Sequence, residues 1–138
     1  MTLDVTIGKV VIEPYDPEYK DEDGACVAQF SVEPCPELDY DLCISPGCTL
    51  WPREAYRSGS LNFWDFFLKK IPGVYRKLRY NPTTNDRDVA WIKPIIDEIN
   101  RLSDDIGTDI DNDRMKWFKF WCNRAVELYG ENAGIEFS

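Results

Sequence analysis

The chain has 138 residues, 25 of them acidic and 16 basic, for a formal charge of −9, and it contains no histidine. That length suits one domain with a core of its own, and the 43% hydrophobic and 30% charged residues exclude a disordered chain. The missing histidine excludes Ser-His-Asp and Cys-His catalysis, imidazole metal sites and the commonest general base.

The first stretch, "LDVTIGKVVIEP", sets Leu3, Val5 and Ile7 on one face and shifts phase to Val10 and Ile12 after Gly8. A strand with a bulge at Gly8 accounts for the shift. "YDPEYKDEDG" (residues 15–24) is a polar, acidic loop, and "ACVAQFSVEP" resumes with Cys26, Ala28, Phe30 and Val32 on one side. The two runs predict an antiparallel pair. A third strand is expected in "ELDYDLCI", with Leu38, Tyr40, Leu42 and Ile44 toward the core and Glu37, Asp39, Asp41 and Cys43 opposite. Residues 45–60, rich in turn formers, connect the β-rich half to the helices.

In "NFWDFFLKKI", Asn62 and Asp65 have capping-box spacing, and Phe63, Phe66, Phe67 and Ile71 supply an apolar side, with Pro72 and Gly73 closing the helix. "VYRKLRY" continues helically. In "DRDVAWIKPIIDEINRL", Val89, Ile92, Ile95, Ile96, Ile99 and Leu102 follow helical spacing, and Pro94 restarts the helix. The last helix, "DRMKWFKFWCNRAVELYG", aligns Met115, Phe118, Cys122, Ala125 and Leu128 and stops at Gly130. Ile135 and Phe137 alternate in a final strand that returns to the sheet. The expected fold is one α+β domain over residues 1–138: a β-rich half (1–44), a connector (45–60), a helical half (61–130) and a returning strand (133–138). Three to four antiparallel strands pack on two to three helices.

The charge is uneven: residues 1–60 carry 12 acids and 4 bases, 61–102 carry 5 and 8, and 103–138 carry 8 and 4. Acidic ends repel nucleic acid and anionic membrane and steer toward basic partners. "DDIGTDIDND" (Asp104–Asp113) begins like a calcium loop at Asp109, Asp111 and Asp113. Such a loop needs Gly at its sixth position and Glu at its twelfth, where this chain has Arg114 and Phe120. Helix capping accounts better for part of the run. Cys26, Cys35, Cys43 and Cys48 lack the close pairs of a zinc finger, and Cys26 and Cys122 fall on apolar faces. No metal or other cofactor is expected. An odd five cysteines and the absence of a signal-peptide pattern in the first fifteen residues predict reduced thiols and a cytoplasmic protein. No apolar run is long enough to span a membrane.

No phosphate loop, nucleophile elbow or dinucleotide fingerprint is present. Lys69 to Tyr80 mixes bases with Tyr75 and Tyr80; neutralising acids within the fold explains it better than nucleic-acid binding does. Four aromatics in "KWFKFWC" exceed what one helix stripe buries, so either neighbouring elements cover them or Trp117 or Phe120 stays outside as an interface anchor. In the order of "DLCISPG", the central helices and "RAVELYGENAGIEFS", the chain resembles small uncharacterised acidic proteins of bacteriophages and mobile elements. That resemblance implies a host-interacting accessory protein, such as an inhibitor of restriction or CRISPR machinery, and assigns no residue a role. The expected function is noncatalytic binding of a protein with a basic surface, without direct nucleic-acid or membrane contact. A toxin-neutralising immunity protein and a phage assembly component are the alternatives. The candidate contact residues are Glu37, Asp39, Asp41, Asp104, Asp105, Asp109, Asp111, Trp117 and Phe120.

Overall fold

The computed structural model describes residues 5–13, 29–38, 66–79 and 88–137. Four strands, β1 (Val5–Glu13), β2 (Gln29–Pro34), β3 (Val89–Trp91) and β4 (Ala133–Phe137), form one antiparallel sheet in the order β2-β1-β4-β3. The last strand therefore lies inside the sheet, between the first and the third. With its helices, the sheet makes a single α+β domain.

Both faces of the sheet are apolar, which is why the pattern of β1 changes phase. Val5, Ile7, Ala90, Ile135 and Phe137 belong to the main core beneath the helices, whereas Val10, Val32 and Val89 form a second cluster with Phe30 and Trp91. No bulge occurs at Gly8: pairing with β4 runs unbroken from Val5↔Phe137 to Lys9↔Ala133, and pairing with β2 from Gly8↔Pro34 to Glu13↔Gln29. Gly8 is required for space instead. A Cβ there would lie 1.9 Å from the Glu33 carbonyl oxygen, and one on its cross-strand partner Gly134 would lie 2.2 Å from Val10 Cγ2. The backbone amide of Val32 donates to Glu136 Oε1 at 2.8 Å, so a carboxylate on β4 holds β2 across the intervening strand.

The expected third strand at 37–44 begins instead with a turn at Pro36 and Glu37, and its residues from 39 onward lie outside the described residues. Leu38 is buried and Glu37 exposed, as their alternation implies. The strand found in the helical half is Val89–Trp91, which the sequence places in a helix. Two β-branched or aromatic residues around Ala90 pair there with Gly134–Glu136, and sheet pairing overrides a helical spacing this short.

Phe66–Lys70 forms a π-helical turn in which the Ile71 amide donates to Phe66 O at 3.2 Å. The aromatic turn stops before Pro72 as expected, and Pro72 and Gly73 also open helix α1 (Pro72–Arg79), because a first-turn position has no intrahelical partner for an amide hydrogen. Pro94 does mark a restart. It sits in a 3-10 turn (Lys93–Ile95) that leads into α2 (Ile96–Arg101).

Helix α3 (Asp109–Tyr129) begins four residues before the expected Asp113. Thr108 caps it, its hydroxyl accepting from the Asp111 amide at 3.1 Å, and Gly107 at φ +127° turns the chain into the cap. Gly130 at φ +57° ends it as expected. The apolar stripe is shorter than its spacing suggests, for Leu128 is 42% exposed. Trp117, Phe118 and Trp121 are all buried, since α3 is covered on more than one side. Phe66 and Phe67 meet Phe118 edge-on at 6.1 and 5.5 Å, and Phe67 meets Phe137 of β4 at 5.2 Å. Asn62, Phe63 and Asp65, the expected start of the aromatic helix, lie outside the described residues.

Candidate functional site

Among the described residues, the acidic candidates Glu37, Asp104, Asp105, Asp109 and Asp111 gather at the two ends of α3, and 21 residues separate those ends by about 30 Å. At the N-terminal end, the segment read as a possible calcium loop enters the helix itself, so Asp109, Asp111 and Asp113 do not form a loop around a cation. Asp113 is 3% exposed. Asp111 accepts from Arg114 at 2.9 Å and from the Thr108 hydroxyl at 3.0 Å, and Lys70 of the π-helical turn stands 3.9 Å away. Asp104 pairs with Lys119 at 2.9 Å. Lys119 also donates to Leu102 O, and Asn112 accepts from the Ile106 amide at 2.7 Å, which fixes the preceding turn on the helix.

Asp105 and Asp109 differ from these. Both are exposed and neither makes an ion pair among the described residues. Their carboxylates remain at the helix N-terminus, where the dipole favours negative charge.

At the C-terminal end, Glu37 on the turn after β2 lies 3.7 Å from Arg124, which also bonds Glu127 at 3.1 Å. Arg124, Trp121 and Leu128 from α3, with Cys35, Pro36 and Glu37 from the turn, line a cavity of about 260 Å³. Burial pushes the Cys35 thiol up to about 11, although the Arg124 charge opposes the shift. The thiol is thus protonated at neutral pH and a poor nucleophile. Burial also raises Cys122, which is in the core as its position on the apolar stripe implies. Among the described residues, no group of three or more Cys, Asp or Glu is placed to hold a metal ion.

No family model, curated protein or solved structure matches the chain.

Of the aromatic candidates, Trp117 is wholly buried and offers a partner no surface in the folded domain. Covering elements that the helix pattern alone does not reveal account for this. Phe120 is half-buried against Trp121, with ring centroids 5.0 Å apart. Asp39 and Asp41 lie outside the described residues. The basic run is tied down within the fold: Lys70 to Ile106 O at 3.2 Å, Lys77 to Glu98, and Arg79 to Asp88 at 2.9 Å. No motif pointed to Cys35, Trp121 or Arg124 as one constellation, because only the packing of the β2 turn on α3 unites them.

Proposed function

We propose that the protein is a noncatalytic binding domain whose acidic surface engages a basic, nucleic-acid-binding protein and occupies the channel nucleic acid would fill. Carboxylates take the place of phosphates, and the negative field speeds encounter with such a channel. An inhibitor of host defence machinery, the role implied by the likeness to phage accessory proteins, is the form of this reading we favour.

The distribution of charge supports it best. The described residues hold 14 acids and 12 bases, and Lys70, Lys77, Arg79, Arg114, Lys119 and Arg124 are engaged with acids of the fold. The remaining segments hold 11 acids and 4 bases. Most of the excess negative charge therefore belongs to segments outside the described residues, 14–28 and 39–65 above all, and within the described fold Asp105 and Asp109 are exposed. No helix among the described residues is long and apolar enough to cross a membrane.

The test begins with a partner recovered from host lysate and identified by mass spectrometry. Added protein should release nucleic acid from that partner in a gel-shift assay, and the Asp39→Lys, Asp41→Lys double variant should release less. A partner that keeps its nucleic acid at saturating protein contradicts the reading.

A further inference from the structure

The register of β1 with β2 decides which amides of β2 face its outer edge. The Cys35 amide donates to Ile7 O at 3.1 Å, so the residues opposite Gly8, Val10 and Ile12, namely Pro34, Val32 and Phe30, turn their backbone polar groups away from β1. Pro34 has no amide hydrogen, and the Phe30 amide has no acceptor among the described residues. The Val32 amide is capped, by Glu136 Oε1 at 2.8 Å. Glu136 belongs to β4, on the far side of β1, and alternates with the core residues Ile135 and Phe137, so its side chain faces the second apolar cluster of Val10, Val32 and Val89. It reaches the outer edge of β2 only because the sheet curls toward that face, where Gly8 and Gly134 admit a close approach. A carboxylate facing an apolar cluster is costly unless it is hydrogen-bonded, and the Val32 amide supplies that bond.

A strand accepts a neighbour through outward amides and carbonyls spaced two residues apart. With the Val32 amide taken and Pro34 without a donor, β2 offers a neighbour only the amide of Phe30. We propose that Glu136 guards this edge: it occupies the amide through which β2 would pair with β2 of a second copy of the chain, and so keeps the domain from joining strand to strand. Identical strands meeting antiparallel about a two-fold axis present the same donors and acceptors to each other, which makes a second copy the partner to be excluded. Ile12, 56% exposed beside Phe30, would give that contact an apolar surface. The edge is separate from the acidic partner surface, and its test uses this chain alone, so either reading can fail without the other.

Amide hydrogen exchange and analytical ultracentrifugation of the full chain are the measurements. In wild type, the Val32 amide should exchange at least about tenfold more slowly than the outward amide of Phe30, the effect of one charge-assisted bond. Glu136→Val suits both a strand and the apolar cluster but has no acceptor, whereas Glu136→Gln keeps one. Glu136→Val should lose the protection of Val32 at low protein concentration, and should sediment as a dimer or larger species at concentrations where wild type and Glu136→Gln do not grow. Adding Phe30→Lys, which places a charge on the edge, should reverse that association. Equal exchange of Val32 and Phe30 in wild type would overturn the proposal whether or not the variant folds. A folded Glu136→Val that sediments like wild type at every concentration, or association that Phe30→Lys leaves unchanged, would overturn it as well.

Discussion

The two ends of α3 use the same chemistry to opposite effect. At the N-terminal end, Asp111 and Arg114 are 14% and 5% exposed, meet at 2.9 Å and share their surroundings with the Thr108 cap. At the C-terminal end, Arg124 meets exposed Glu37 at 3.7 Å beside an open cavity. The first arrangement builds the helix start; the second ties Arg124 only to exposed carboxylates, Glu37 and Glu127. Charge in the sequence thus has three fates: locked into the fold, loosely paired, or exposed without an ion pair among the described residues like Asp105 and Asp109.

That contrast can be broken most strongly through the two tryptophans. Trp117→Ala should cost about 3–5 kcal/mol, the range for large aromatic truncations in a core. Trp121→Ala should fall at the low end of that range, because its side chain already borders a cavity. Denaturant unfolding measures both. Equal losses would mean that the C-terminal end is as tightly built as the rest of the helix.

Asp111→Ala should cost about 1.5–3 kcal/mol, since it removes a charged hydrogen-bond partner from nearly buried Arg114. Glu37→Gln should change stability by less than about 0.5 kcal/mol, as expected for an exposed, loose pair. Thermal melts of the two variants compare the ends directly.

The smallest effect is a pH dependence. Cys35 is raised in the fold from 9.0 to about 11, so the folded state favours its neutral thiol. That contribution is fully present below pH 9 and is lost as pH rises through about 11. The stability of wild type should therefore fall more steeply over that window than that of Cys35→Ala. Parallel curves would show that the thiol is not held neutral by burial.

Much of this architecture is legible in the residues. Alternation in β1, β2 and β4, the stripe from Met115 to Ala125 and the stop at Gly130 each follow from a local period or backbone requirement. The bulge at Gly8 was a misreading, because a phase change also arises when both faces of a strand are covered, and sequence does not reveal the second cover. Val89–Trp91 was misread because three residues hold too little of either period to choose between them. Asp104 to Asp113 shows its acidity but not its pairing: Lys70 and Lys119, which engage Asp111 and Asp104, come from elsewhere in the chain. The cavity residues were invisible for the same reason, with Cys35 and Trp121 joined only by tertiary packing.

The central claim is that carboxylates locked into the fold stabilise it while those left free steer a partner. Surface plasmon resonance with the recovered partner, at about 50 and about 500 mM salt, tests it by comparing Asp111→Ala with the Asp105→Asn, Asp109→Asn double variant. The double variant should associate several-fold more slowly at low salt, lose that difference at high salt and melt close to wild type. Asp111→Ala should melt lower and associate at nearly the wild-type rate. An association rate that the double variant leaves unchanged at both salt concentrations would contradict the claim.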